Sequence, residues 1–377
     1  MNSQYVVVGA GLAGAATAWS LSRRGHEVTL VERTRPAAHD GSSHGSARIF
    51  RYPYPDAFYT ELVVRAKAGF DELEKVSGRQ LITPTGSLDL GGVRDPRRLA
   101  AVMEQVGVEH ELLSAVEAQE RFPHIATDTE VLWHPGAGVI DAEATVNAMV
   151  DAAVSHGAQV LSDWPVHRVD ATGRGYRLHS DDAHIDAERI VVAAGGWLPT
   201  LLEQLPVSDG FRAGLPRFEV SQENAYHFPY RDQSGLWPTF IHKDESIQTY
   251  SLPGGRDAEF RGQKLAEYNA GRKMASAADQ DGQIDAGNRQ RIVEYVKRYL
   301  PGLVPEPYAE TTCLFTNTPS EDFLIDTTDG ITLVSACSGH GAKFAPLIGE
   351  FAADAATGTA RAPERFTAHA IRAASHA

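Results

Sequence analysis

Five short clusters carry residue types that could do chemistry. Gly9-Ala10-Gly11-Leu12-Ala13-Gly14 is a G-x-G-x-x-G run directly after the β-branched residues 5–8. "GSSHGSARIFR", 41–51, sets Ser42, Ser43 and His44 ahead of Arg48 and Arg51, two cations three residues apart. "EFRGQKLAEYNAGRKM", 259–274, offers Lys264 and Lys273. "TTCLFTNTPSEDFLID", 311–326, holds Cys313, one of two cysteines in 377 residues, and "CSGHGAKFAPLIGE", 337–350, holds the other, with Lys343.

The glycine run asks for a strand before it and a helix after it. Glycines there allow a tight turn, close approach of the backbone to a pyrophosphate, and packing of the helix on the strand. The sequence continues with a predicted helix to Arg24, a break at Gly25, a second strand over 27–31 and the acid Glu32, placed to accept from ribose hydroxyls, with Arg33 beside it. This order predicts a dinucleotide site at the start of an α/β domain. Two later stretches repeat the form of strand, glycine turn and helix start. They are "RIVVAAGGWLPTLL", 189–202, with Ala194, Gly195 and Trp197, and 331–350, with Gly339, His340, Gly341 and Ala342. A helix N-terminus carries about half a positive charge, which suits a phosphate or the electron-rich pyrimidine edge of a reduced flavin. A nicotinamide dehydrogenase has no need of the 41–54 segment immediately after its first strand–helix–strand unit.

Composition narrows the partners. With 42% hydrophobic residues and 34 glycines, a chain of 377 residues can bury two cores, and two domains are expected. The net charge of −14 gives no footprint for nucleic acid or an anionic membrane, so a small-molecule partner is expected. Two cysteines make no disulfide framework and fit a reducing cytosol. Residues 5–21 are uncharged, yet residues 1–4 lack the basic start of a signal peptide and the glycines suit a lipid-facing helix poorly, so the chain is read as cytoplasmic. No histidine has metal-ligand spacing with its neighbours, and no metal site is expected.

Taken together, "GAGLAGAATA…GHEVTLVER", "GSSHGSARIFR", "PVHRVD", "VVAAGGW", "CLFTNTPSEDFLID" and "CSGHGAKFAPLIGE" resemble the monomeric sarcosine oxidase and N-methyltryptophan oxidase family of FAD-dependent amine oxidases. The motifs run in the family's order from Val6 to Glu350. The resemblance implies an α/β fold, α+β overall, in which a Rossmann-like FAD domain (1–80, 145–214 and 305–377) interleaves with a mainly antiparallel substrate domain (81–144 and 215–304). It implies FAD linked covalently through Cys313, with Cys337 a packed thiol. Residue chemistry alone leaves Cys313 open as an ordinary small hydrophobe.

The resemblance also assigns roles. Arg51 and Lys343 hold a substrate carboxylate, and Arg48 lies over the flavin face. The glycine turns, with Ser42, Ser43, His44, Val169 of "PVHRVD" and His340, touch FAD. Lys264 is the candidate for speeding the reaction with oxygen. Lys273 is its rival, because the family's lysine is followed closely by a histidine where this chain has Tyr268 and Asn269. Phe315 replaces the family's tyrosine two residues after the linked cysteine, so the substrate need not be sarcosine. His242 and Tyr250 could line the pocket or simply pack. The implied reaction passes a hydride equivalent from an amine to flavin, hydrolyses the imine and reduces oxygen to hydrogen peroxide, in a monomer. Within the fold, a fructosyl-amino-acid oxidase, a tailoring oxidase of a cyclic amino acid and a dehydrogenase with another acceptor are the alternatives. Outside it stand a flavin-binding protein without turnover and a nicotinamide-dependent dehydrogenase.

Overall fold

The computed structural model describes residues 1–233 and 235–374. Its mixed α/β architecture is built on two large sheets joined by a small one.

The first sheet is organised around the strand Asn2–Val8. Val28–Val31 pairs parallel on one side and His184–Val192 parallel on the other. Gln159–Leu161 extends the sheet beyond Val28–Val31, and Ile331–Ser335 pairs with the end of His184–Val192, again both parallel. Antiparallel strands Arg168–Thr172, Gly175–His179 and Leu324–Thr328 complete it. The valine-rich central strands are buried on both faces, as parallel strands between layers must be. Val7, Leu30 and Val191 face one core with helices Leu12–Ser22, Ala57–Ser77, Ala142–Ser155 and Ala345–Thr357; Val6, Val8, Ile190 and Val192 face another. Because the central strands run parallel, Val8, Val31, Val192 and Ser335 bring their following loops to one edge, where an open α/β sheet forms its ligand crevice. Helix Ala142–Ser155 begins where the sequence places it, with the Asp141 side chain accepting from the Ala144 amide.

The second sheet runs in the order Arg272–Met274, Glu219–Pro229, Gly262–Glu267, Gln248–Pro253, Thr239–Lys243, Ser87–Leu90, Val131–His134, Glu111–Leu113. It is antiparallel except where Thr239–Lys243 runs parallel to Ser87–Leu90. Tyr226, Phe228, Phe240 and Leu265 form its core with Ile292 and Val296 of helix Ala286–Tyr299. The strand Ala309–Asn317 pairs along its whole length with Glu219–Pro229, placing Cys313 opposite Glu223 and Phe315 opposite Ser221. Cys313 therefore lies on a strand. Its flanking threonines, Leu314 and Phe315 are residues that suit a pleated, half-buried surface, and the turn comes only after Asn317. A three-stranded sheet of Arg48–Phe50, Gly138–Ile140 and Ile82–Pro84 ties the 41–51 segment down. Among the described residues, no helix is long and apolar enough to cross a membrane.

Candidate active site

A cavity of about 720 Å³ lies at the carboxyl edge of the parallel strands and reaches the face of the second sheet. At one end it is lined by the glycine turn. Gly9 has φ +98°, and a Cβ there would sit 2.5 Å from the Ala193 carbonyl oxygen; one on Gly14 would sit 1.8 Å from the Gly9 carbonyl oxygen. Only glycine fits either position, the first for its backbone and the second so that the helix can close on the turn. Helix Leu12–Ser22 starts at Gly11 with no side-chain cap through the Gly11 position, while the Leu12 amide donates to Ser43 Oγ at 3.0 Å. Glu32, at the end of the second strand, accepts from the amides of Ala10 (2.7 Å) and Thr34 (3.3 Å). Burial raises its pKa, and those amides together with that of Arg33 work against the rise. Arg33 is 4.5 Å from the Trp197 ring centroid and ion-paired to Asp40 at 3.0 Å.

Further along, the wall becomes cationic. Arg48 donates to the carbonyls of Ala47 (2.9 Å) and Ser42 (3.0 Å) and stands 3.6 Å from Cys313 Sγ. Lys264, on the strand Gly262–Glu267, is 5% exposed. Its pKa falls to about 8, chiefly through burial and then through the charge of Arg48. Its rival Lys273 is well exposed, paired with Glu219 at 2.5 Å, and does not line the cavity.

The third group surrounds Tyr54. Arg51 donates to the Pro53 carbonyl, and its guanidinium is 4.9 Å from the Tyr54 ring centroid. Lys343, 4% exposed, donates to the His340 carbonyl at 2.8 Å and to Tyr54 Oη at 3.2 Å. His340 Nδ1 is 2.9 Å from Tyr54 Oη and its Nε2 is 3.0 Å from the Glu321 carbonyl. A carbonyl only accepts, so Nε2 carries the proton and Nδ1 accepts from the tyrosine. The ring stays neutral, its pKa lowered to about 3 by burial and by Lys343. Burial, Arg51 and Arg94 pull the Lys343 ammonium well below the ordinary lysine range.

Of the residues singled out from the sequence as catalytic or cofactor-binding, all line this cavity except Gly14, His44 and Val169. Alternation along Arg168–Thr172 turns the Val169 side chain into the core with Leu178, and Val166 and His167, just before that strand, line the cavity. His44 stands beside the lining residues rather than among them. It is buried with its ring centroid 5.3 Å from that of His39, and its pKa is lowered to about 3 by burial and then by Arg48 and Lys264. Tyr250 lines the cavity, whereas His242 packs away from it, bonded to Tyr295 Oη and Asp244, each at 2.8 Å. Sequence reasoning missed Tyr54, Arg94, Lys243 and Tyr268, all cavity-lining. Tyr54 had a signal, since "RYPY" continues directly from Arg51; Arg94 and Lys243 stand in no motif.

From residue 4 to residue 355 the sequence matches the family described as FAD dependent oxidoreductase. The chain belongs to this family. Monomeric sarcosine oxidase of Streptomyces avermitilis is 31% identical, over 95% of this chain and 94% of that protein. N-methyl-L-tryptophan oxidase of Yersinia pestis is 28% identical, over 94% of each. The resemblance read from the motifs thus extends over nearly the whole chain. Among solved structures, the open form of NikD, described as an unusual amino acid oxidase essential for nikkomycin biosynthesis, superposes with a TM-score of 0.84. At 22% identity over 97% of this chain and 96% of that one, it shows the shared fold. The residues present suit the family's cofactor. The glycine turn at a helix start suits a pyrophosphate, Glu32 suits a ribose, and the cavity runs on without interruption from that turn to Arg48, Lys264 and Cys313.

Proposed function

We propose that the protein is an FAD-dependent oxidase of a secondary amine or amino acid. The observation that carries this reading is the convergence in one cavity of a dinucleotide-type turn, the Arg48–Lys264–Cys313 group and the Arg51–Lys343 pair. Bound FAD would supply a two-electron acceptor for the α C–H bond of an amine, with oxygen as the final acceptor and hydrogen peroxide as product. The turn at Gly9 and Gly11, with Ser43 and Glu32, holds the dinucleotide. Arg51 and Lys343 hold the substrate carboxylate, and that anion offsets the cost of burying the Lys343 ammonium, whose pKa burial, Arg51 and Arg94 lower. Tyr54 and neutral His340 fix the Lys343 ammonium in place without competing for the anion. Arg48 and Lys264 present fixed positive charge where negative charge develops. Lys264 makes no side-chain hydrogen bond or ion pair among the described residues, which leaves it available to stabilise charge taken up by oxygen.

Covalent attachment is assigned to Cys313, whose sulfur borders the cavity beside Arg48. Cys337 also borders the cavity, but its thiol pKa is raised by burial and its sulfur rests 3.9 Å from the Leu314 carbonyl. Acid precipitation of the wild-type protein should leave flavin in the pellet and add the mass of one FAD. Cys313→Ala should release the flavin and Cys337→Ala should keep it. Free flavin from the wild type would remove the assignment. Activity is tested by screening N-methyl amino acids, cyclic imino acids and glycated amino acids for peroxide, with flavin bleaching followed without oxygen. Bleaching without peroxide would make the enzyme a dehydrogenase, and no bleaching by any amine would end the amine reading.

A further inference from the structure

The cationic end of the cavity holds more charge than one carboxylate can use. Arg51, Arg94, Lys243 and Lys343 gather there; of the carboxylates acting on them, Glu321 lines the cavity and Asp89 does not, while the cavity-lining Asp56 is paired with Arg365 at 3.2 Å. Asp89 is committed to Arg94, at 2.5 Å with both side chains buried. Glu321 faces Tyr268, whose hydroxyl pKa is raised by burial and by that carboxylate. Four cations against two carboxylates leave an excess of two positive charges. A substrate carboxylate on Arg51 and Lys343 removes one and leaves Lys243.

Lys243 ends the strand Thr239–Lys243, and its backbone carbonyl accepts from the amides of Val93 (3.0 Å) and Arg94 (3.1 Å), so its Cα is held from two sides. Its Nζ is 4.3 Å from the Tyr268 ring centroid and makes no hydrogen bond or ion pair among the described residues. The next residue, Asp244, is occupied by His242 Nε2 at 2.8 Å and the Gly92 amide at 2.9 Å. Burial, then Arg94 and Arg51, bring the lysine's pKa down to about 8. A rigidly mounted ammonium facing a cavity, with only an aromatic face beside it, is completed by an anion.

We propose that the substrate carries a second carboxylate, held by Lys243, and is therefore an N-substituted acidic amino acid or an iminodiacid. This rests on the amine-oxidase reading above. Arg51 and Lys343 fix the first carboxylate, and Lys243, at the end of a second-sheet strand, receives the second beside Tyr268, so cations from separate parts of the fold hold the two anions of one molecule.

The test uses the purified flavin-containing protein. Two unreactive thioethers, methylthioacetate and thiodiacetate, are titrated by the perturbation of the flavin spectrum. Anaerobic flavin reduction is then compared for sarcosine, N-methyl-L-aspartate, N-methyl-L-glutamate and iminodiacetate. Thiodiacetate should bind at least about tenfold more tightly than methylthioacetate, and at least one dicarboxylic amine should exceed sarcosine in reduction efficiency by a similar factor. Whether the N-methyl acids or iminodiacetate lead separates the two sources of the second carboxylate. Lys243→Met should bring both ratios towards unity, whereas Lys243→Arg should keep them. A wild-type preference for the monocarboxylates, or ratios unmoved in Lys243→Met, overturns the inference and leaves the oxidase reading standing. If no amine reduces the flavin and neither thioether perturbs it, both fall together.

Discussion

Replacing Lys264 with methionine should make the protein more stable at neutral pH and much slower with oxygen. The ammonium sits fully enclosed, its pKa lowered from 10.5 to about 8 by burial and Arg48, with only partial relief from Cys313 and Asp257. A cation whose pKa is depressed on folding contributes stability that is present above its unfolded pKa and lost as pH falls through its folded one. At pH 7 the loss is complete and corresponds to roughly 3 kcal/mol. Methionine has similar length and no charge, so Lys264→Met should recover most of this. With about 2 cal/mol/K of unfolding entropy per residue, the apparent melting midpoint should rise by roughly 4 °C at pH 7. The gain should shrink to about 2 kcal/mol at pH 9 and to a few tenths near pH 10.5, where the unfolded lysine also loses its proton. Oxidised flavin brings no negative charge to the ring, so the bound cofactor should not cancel the effect. The assay is thermal unfolding at a fixed scan rate across this pH range, with reoxidation of reduced flavin followed in parallel. A variant less stable than the wild type at pH 7, or a gain that does not change with pH, would refute the reasoning. Reoxidation at the wild-type rate would remove the lysine from oxygen chemistry.

Neutral replacement of Arg51 or Lys343 should weaken binding of carboxylate-bearing ligands by roughly 2–4 kcal/mol while the protein stays yellow, and ligands without a carboxylate should lose less; titration of the flavin spectrum reads both. Gly9→Ala forces a side chain into positive φ and against the Ala193 carbonyl, so it should cost at least about 2 kcal/mol and lower the flavin-to-protein absorbance ratio.

Residues that act at the ends of parallel strands could be read because each follows a local pattern of apolar run, glycine turn and helix start. Gly9, Glu32, Gly195 and Lys343 all belong to that class, and the sheet's topology then makes neighbours of them. Lys243 and Lys264 belong to another class. They reach the cavity on strands that pair with distant segments, Thr239–Lys243 with Ser87–Leu90 and Lys264 opposite His227, and no local window shows those pairings. Lys264 could be picked out only by resemblance, and Lys243 stands where the resemblance is silent. Cys313 combines the two. Its motif was legible, but its place on a strand of the second sheet was not, because the chain returns to the first sheet only at Leu324–Thr328.

The buried lysines also say something about the purpose of the cavity. Lys243, Lys264 and Lys343 each have a lowered pKa, and in each case burial is the largest cause. Folding that served stability alone would pair such groups or replace them with apolar side chains of similar volume. Their cost can be offset only by anions that arrive after folding. It follows that ligands carrying carboxylates should stabilise the protein against unfolding by more than their contact area suggests, because binding relieves repulsion already present in the empty site. A dicarboxylate at about one hundred times its Kd should add roughly 2.7 kcal/mol by mass action. Binding should also take up protons above pH 8, as Lys243 regains its ammonium. Calorimetric titration of thiodiacetate in two buffers of different ionisation heat measures that uptake directly. Equal heats in both buffers at pH 9 would show that no lysine changes charge on binding, and the cavity's positive character would then need another explanation.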